Sequence, residues 1–451
     1  MNSNAMLMTR GEAEQRGGPA LELLDTPGSV WTGGFIGLSI FIIVSYWVIA
    51  FWVPALTPLR PSLAAAAIAF VLMAARRLKR GERMIFVSPQ SWLLLALFYL
   101  MLLSSLFAGD FIVKSLDFTL TFMIKLLALY LLAMNCLESI RSVRVMMWVL
   151  AFAAIVPAVG GLYLYFHQDI FFELHPEKIT FEEGVARAVY IGHYADPNRL
   201  AGCLALLVPA LFYLFWTSSS IIGKAFALGV SPLLIATVVL TGSRGGALAL
   251  AAGLVVAVWF SRHRVIGLLL LAGCAAVAIV MTPPETVSRL AELREGTHAG
   301  TAIARLKIWG LSLAMARDHP MLGVGTDCYE EAAGIKYMDP LITSGGERYK
   351  SAHSSFVKVL GENGIPAFLI FAWLHVVTFR DLYRLRRAAV SRWGRASPMA
   401  QTTAATIAVL ASVTVASLTI DYTDNWFPYL FMAATAALKN IGWRLGLVTR
   451  R

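Results

Sequence analysis

Apolar residues along the chain gather into runs of about 20, separated by short polar stretches, which is the spacing of bilayer spans and not of a soluble core. Twelve such runs are predicted as helices, at 33–53, 60–76, 91–108, 115–137, 143–166, 199–217, 221–240, 245–260, 264–281, 354–378, 400–420 and 425–443. The pattern divides the chain into a tail at 1–30, nine spans within 31–281, a long loop at 282–353 and a last part at 354–451 with three spans. The expected fold is therefore an all-α polytopic membrane protein of about twelve transmembrane helices.

Composition agrees: 58% of the 451 residues are hydrophobic and 14% are charged, more apolar surface than a soluble domain can bury. The net charge of +11 need not mean a nucleic-acid partner, because the cations follow alternate loops. Arg76, Arg77, Lys79, Arg80 and Arg83 follow the second span, and Arg380, Arg384, Arg386, Arg387, Arg392 and Arg395 follow the tenth. Arg141, Arg144, Lys224, Arg262 and Arg264 keep the same alternation. By the positive-inside rule these connections and both termini are cytoplasmic. The opposite loops, with Glu173, Glu177, Glu182 and Glu183 and the long stretch 282–353, then face the periplasm or cell exterior.

The first apolar run begins near Trp31 and is long enough to span, so it reads as an uncleaved anchor, with a poorly ordered tail before it. Cys136, Cys203 and Cys274 fall in spans and Cys328 in the external loop, a distribution that offers no disulfide or cysteine–metal framework. Lys125 lies deep in the fourth span. A charge there costs on the order of 3 kcal/mol and is expected to face the protein interior.

Four polar clusters stand at the outer ends of the spans. Asp196-Pro197-Asn198-Arg199 opens the sixth, where Asp-Pro reads as a helix cap and Asn198 and Arg199 are open to a substrate. Ser243-Arg244-Gly245-Gly246 turns the chain into the eighth, placing Arg244 at a helix N-terminus with free backbone N–H groups, a setting suited to a diphosphate. The alternative for Arg244 is snorkelling to lipid headgroups. In the long loop, Ile303, Leu306, Trp309 and Leu313 suggest an amphipathic helix that lies on the membrane, closes over a cavity and ends at His319-Pro320, followed by a turn at Gly323 and Gly325. Arg305 and Lys307 on it are either a second anionic contact or solvated charges. Last, His353 precedes Ser354 and Ser355 at the start of the tenth span. Free imidazole titrates at about 6.5, so such a histidine is able to accept a proton, or else it is a structural hydrogen-bonding group.

In this order, with Arg305 and Trp309, Gly323-Val324-Gly325, Ala352-His353, Glu362 and Gly364-Ile365, the clusters resemble the bacterial O-antigen ligase and polymerase superfamily, over roughly residues 90–445. One departure is Ser354, where that family often has asparagine after the histidine. The resemblance implies a GT-C-like glycosyltransferase of the bacterial inner membrane with a periplasmic active site. It implies glycan transfer from undecaprenyl diphosphate to an acceptor hydroxyl, with membrane lipids as the only other partner and neither nucleic acid, nucleotide, metal nor other cofactor. Arg244 and Arg305 would bind the diphosphate, His353 would be the base, and Asp196, Asn198, Arg199, Ser243, His319 and Ser354 would shape the site. The sequence contains no P-loop, HExxH or Asp-x-Asp pair. A moderate external loop favours a ligase that uses a lipid A-core acceptor. A polymerase with a carrier-linked acceptor and a protein-glycosylating relative are the alternatives within the family. From another class, a lipid-linked oligosaccharide flippase would also fit the hydropathy, but no internal repeat is visible and the polar groups sit at one face, not at the midplane.

Overall fold

The computed structural model describes residues 30–81, 85, 87–167, 170, 187–281, 300–337 and 351–449. Arg83, the acidic stretch from Glu173 to Glu183, the tail before residue 30, and the loop parts 282–299 and 338–350 lie outside the described residues. A helix stands on each of the twelve apolar runs, and there is no strand among the described residues. In order they are α1 Gly33–Trp47, α2 Pro61–Lys79, α3 Pro89–Leu106, α4 Gly109–Cys136, α5 Ile140–Phe166, α6 Pro197–Thr217, α7 Ile221–Leu240, α8 Arg244–Phe260 and α9 Arg264–Met281. Two loop helices follow, α10 Gly300–Asp318 and α11 Tyr329–Ile335, and then α12 Ser355–Trp393, α13 Pro398–Thr419 and α14 Trp426–Arg444. Eight of these segments are long and apolar enough to cross a membrane by length and composition. Local chemistry sets their starts. Ser88, Ser139, Asp196, Ser220, Ser243, Ser354, Ser397 and Asn425 each accept a backbone N–H of the first turn, and Pro61, Pro89, Pro197 and Pro398 occupy first helical positions.

The bundle has a centre and a periphery. Of the most apolar window, 83% is buried in α6 and 78% in α13, but 28% in α7, whose Ile221, Ile222 and Leu228 point outward. Outward apolar side chains of that size suit hydrocarbon surroundings and not water. Where α6 meets α8 the contact is too close for any side chain: a Cβ on Gly246 would lie 2.4 Å from the Cβ of Ala201.

The basic connections gather at the end of the bundle away from Arg244. There Arg76 pairs with Glu138 at 2.9 Å, Lys439 with Asp381 at 2.8 Å, and Arg386 donates to the carbonyl of Phe260, the last residue of α8.

Two expectations need correction. The tenth helix does not stop near residue 378; α12 continues to Trp393, so Arg380, Arg384, Arg386, Arg387 and Arg392 are helical and only Arg395 lies in the connection. Lys125 does not face the interior. The inward face of α4 consists of Met123, Leu126, Leu129, Tyr130 and Ala133, which leaves Lys125 exposed with its ammonium 5.9 Å from the Phe122 ring centre. A wide turn over Thr119–Met123 resets the helical register just before it.

The loop helix α10 forms and ends as expected and carries apolar residues on two faces. Leu306 and Leu313 are 63% and 65% exposed, whereas Ile308, Ser312, Met315 and Ala316 are buried. These recur at helical spacing and lie against α12, with the Ser312 Cα close to Gly361. A helix bordered by protein on one side and apolar surroundings on the other carries apolar residues on both, and hydrophobicity alone does not say which side is inward.

Candidate functional site

The ends of α7 and α13, the starts of α6, α8, α12 and α14, and the loop helix α10 meet at one end of the bundle. The Asp196 carboxylate caps α6, accepting the backbone N–H of Asn198 at 2.7 Å and of Arg199 at 3.0 Å. The Asn198 side-chain oxygen accepts the Ser243 hydroxyl at 2.8 Å, and Ser243 in turn accepts the N–H of Gly246 at 3.1 Å. Asn198 and Ser243 thereby lock the start of α6 to the start of α8. Arg199 reaches the Asp424 carboxylate at 2.9 Å and the edge of the His193 ring at 3.0 Å, and its carbonyl accepts the buried Tyr422 hydroxyl at 3.2 Å. Its charge is thus engaged by Asp424. Burial, and then Arg199, hold the His193 imidazole below its ordinary value, so it is uncharged at neutral pH.

Arg244 is the first residue of α8, behind the Ser243 cap, and Arg305 sits near the start of α10. They are far apart in sequence but near enough in space to repel. Burial first, and then the Arg244 charge, hold the Arg305 guanidinium below its ordinary value. A third arginine stands beside the same turn: Arg187 Nε lies 3.9 Å from where a Cβ of Gly242 would be, and the next residue, Ala188, donates its N–H to the carbonyl of Leu240.

His353 precedes the cap of α12 and has φ +48°, a left-handed conformation uncommon outside glycine that histidine, like asparagine and aspartate, adopts more readily than other side chains. Its neighbours hold it there. The Trp309 indole of α10 donates to the carbonyl of Ala352 at 3.1 Å, and the Ser354 hydroxyl accepts the N–H of Val357 at 3.4 Å. Ser355 ties the same segment to the α13–α14 connection, accepting the N–H of Tyr422 at 2.7 Å. His319 is exposed beyond the C-terminal end of α10, about 20 Å along the helix from Arg305 at 1.5 Å per residue, so it is not brought beside the arginine pair. Its carbonyl accepts the N–H of Gly323 at 2.9 Å.

The glycine motifs after it form a clasp. α12 is broken at Gly364, φ 78° and ψ −179°, and the loop behind α10 supplies hydrogen bonds across the break. Val324 N–H donates to the carbonyl of Gly361 at 3.1 Å, Gly325 N–H to that of Glu362 at 3.0 Å, and Ile365 N–H to that of Pro320 at 2.8 Å. A Cβ on Gly364 would lie 2.7 Å from the Pro320 oxygen, and one on Gly323 2.3 Å from the Glu362 backbone. Gly364→Ala is expected to destabilise the protein by about 2 kcal/mol or more, seen as a lower unfolding midpoint in detergent; a midpoint equal to the parent's would mean the clasp is dispensable.

Buried beside the clasp, the Lys358 ammonium lies 2.9 Å from Asp421, 3.2 Å from Asp327 and 3.8 Å from Glu362. Burial pushes the Asp421 carboxyl up, but Lys358 and the two Thr423 donors outweigh it and hold the group below the usual carboxylate range.

Residues 229–372 match the family model described as O-antigen ligase. The chain carries an O-antigen ligase family domain. That segment is thus similar to the O-antigen ligase family, which supports the O-antigen ligase and polymerase superfamily, and no curated protein matches the chain. The ligase domain includes Arg244, Arg305, the clasp and His353, while Asp196, Asn198 and Arg199 precede it. Before the domain and within it the fold adds residues with no sequence motif of their own. Arg187 and His193 come from the segment before α6, and Lys358 is the fourth residue of α12. The last had a signal in retrospect, since a lysine at the mouth of a span needs a partner there, and Asp421 in the opposite connection is one. Asp421 and Asp424 thus hold Lys358 and Arg199 in place.

Proposed function

We propose that this O-antigen ligase family protein transfers a glycan from undecaprenyl diphosphate to a hydroxyl of a lipid A-core acceptor, at the periplasmic face of the bacterial inner membrane. The observation that carries the reading is the O-antigen ligase family match over residues 229–372, which contains both Arg244 and Arg305, two guanidiniums suited to an anion of more than one charge, with the Arg244 charge felt at Arg305. The diphosphate is the donor's anion and its leaving group. As the acceptor oxygen attacks the anomeric carbon, the bond to the phosphate oxygen breaks and its electron pair stays on the diphosphate, neutralised by the two arginines. The acceptor proton passes to a ring nitrogen of His353 and from there to water. Single displacement inverts the anomeric configuration. Neither metal nor nucleotide is called for, because the energy is stored in the donor. Asn198, Ser243 and Asp196 support the reading as positioning residues, through the link between α6 and the helix that begins with Arg244.

The test is reconstitution of the full chain in vesicles with a carrier-linked glycan and either lipid A core or a second carrier-linked glycan as acceptor. Glycan appearing on lipid A core is the expected result. Elongated carrier-linked product in its place would make the protein a polymerase, and translocation without transfer would overturn the enzymatic reading.

A further inference from the structure

At the other end of the bundle, a shallow surface cleft lies where α6, α8, α12 and α13 come together. Three arginines line it, Arg262 after α8, Arg386 on α12 and Arg395 before α13, and its lining contains no carboxylate. Arg386 stacks over the Phe260 ring, 4.4 Å from its centre, and uses one terminal nitrogen on the Phe260 carbonyl at 3.2 Å. Its Nε is buried with no hydrogen-bond partner among the described residues. Arg262 donates from Nε to His263 at 2.9 Å, and that imidazole lies flat on Trp216 with ring centres 3.7 Å apart. Burial and Arg262 both hold His263 below its ordinary value, so the ring is neutral and serves as acceptor. Elsewhere at this end the cations are answered by Glu138 and Asp381, but Arg262, Arg386 and Arg395 form no ion pair among the described residues.

We propose that this cleft binds the phosphate of an anionic phospholipid headgroup. Three converging guanidiniums without a counter-charge favour a phosphate, which accepts from arginine in bidentate fashion. The surroundings choose a lipid over a free ion. The cleft opens among the ends of membrane helices, with Trp216 and Tyr213 on its wall and Trp259, Val265 and Leu269, 70%, 71% and 68% exposed, on the neighbouring surface. Aromatic rings at this level sit among headgroups, and the exposed aliphatic side chains offer contact to acyl chains. Basic pockets between helices on the positive side of a membrane protein recognise anionic lipids in this way.

The test uses the purified full chain in a neutral detergent, titrated separately with phosphatidylglycerol, phosphatidylcholine and inorganic phosphate, with bound lipid counted by native mass spectrometry and the unfolding midpoint recorded. The wild type is expected to retain one phosphatidylglycerol saturably and to prefer it over phosphatidylcholine. The double variant Arg262→Gln/Arg395→Gln should weaken that retention by about thirtyfold, since each cation near an anionic headgroup contributes about fivefold. Gln401→Glu, which sets a carboxylate on the cleft wall without touching an arginine, should weaken it as well. Equal retention by the parent and both variants, or equal retention of the two lipids, would overturn the assignment. Stabilisation by inorganic phosphate alone, as large as that by phosphatidylglycerol, would overturn the lipid and make the site one for free phosphate.

Discussion

Replacing His353 by alanine is expected to lower transfer by a factor of about 10² to 10⁴, the range that a positioned proton acceptor contributes, while carrier-linked donor still binds. Alanine at φ +48° also strains the backbone, so a loss in that variant alone would mix chemistry with conformation. His353→Asn separates the two. Asparagine tolerates the left-handed region and can hydrogen-bond, yet it cannot take a proton at neutral pH. Both variants should show the same deep loss in initial rate with saturating acceptor, at unchanged unfolding midpoint for the asparagine form. An asparagine variant within tenfold of the parent would remove His353 as the base and leave the Arg244 and Arg305 reading standing.

Arg244→Ala and Arg305→Ala should each reduce kcat/KM for the carrier-linked donor by about 10² to 10³, comparable to removing one donor from a charge-stabilising site. Their mutual repulsion adds a second signature. Burial and the Arg244 charge both disfavour a charged side chain at 305, so Arg305→Gln is expected to raise the unfolding midpoint of the protein alone. Undecaprenyl diphosphate should then stabilise the wild type and hardly stabilise the variant. A purely structural arginine would behave in the opposite way, with its loss lowering stability whether or not the carrier is present. Full turnover by both alanine variants would exclude charge neutralisation at this pair.

The helices were legible because each has to satisfy its backbone within one apolar run, which leaves a strong local signal from Trp31 to Trp443. Orientation was less legible. An apolar face against lipid and one against protein read alike, as Leu306 and Ile308 on α10 show, and Lys125 turns outward because the Thr119–Met123 turn shifts register without any glycine or proline to announce it. Near the candidate site, Asp196 is the cap that Asp-Pro announces. Partnerships across the fold were not legible. Nothing local to Arg199 points to Asp424, nor does anything near Ala188 reveal that Arg187 lies beside the Gly242 turn, because such contacts exist only once α6, α7 and α14 are assembled.

Trp309 and the glycine clasp also tie together residues that the proposed reaction uses at once. Arg305 lies on α10 and His353 just before α12, and these helices are joined by the indole on Ala352 and by the backbone bonds between 320–325 and 361–365. If the two residues act in one step as proposed, a change at Trp309 or Gly364 reaches the reaction through their spacing, without touching either of them.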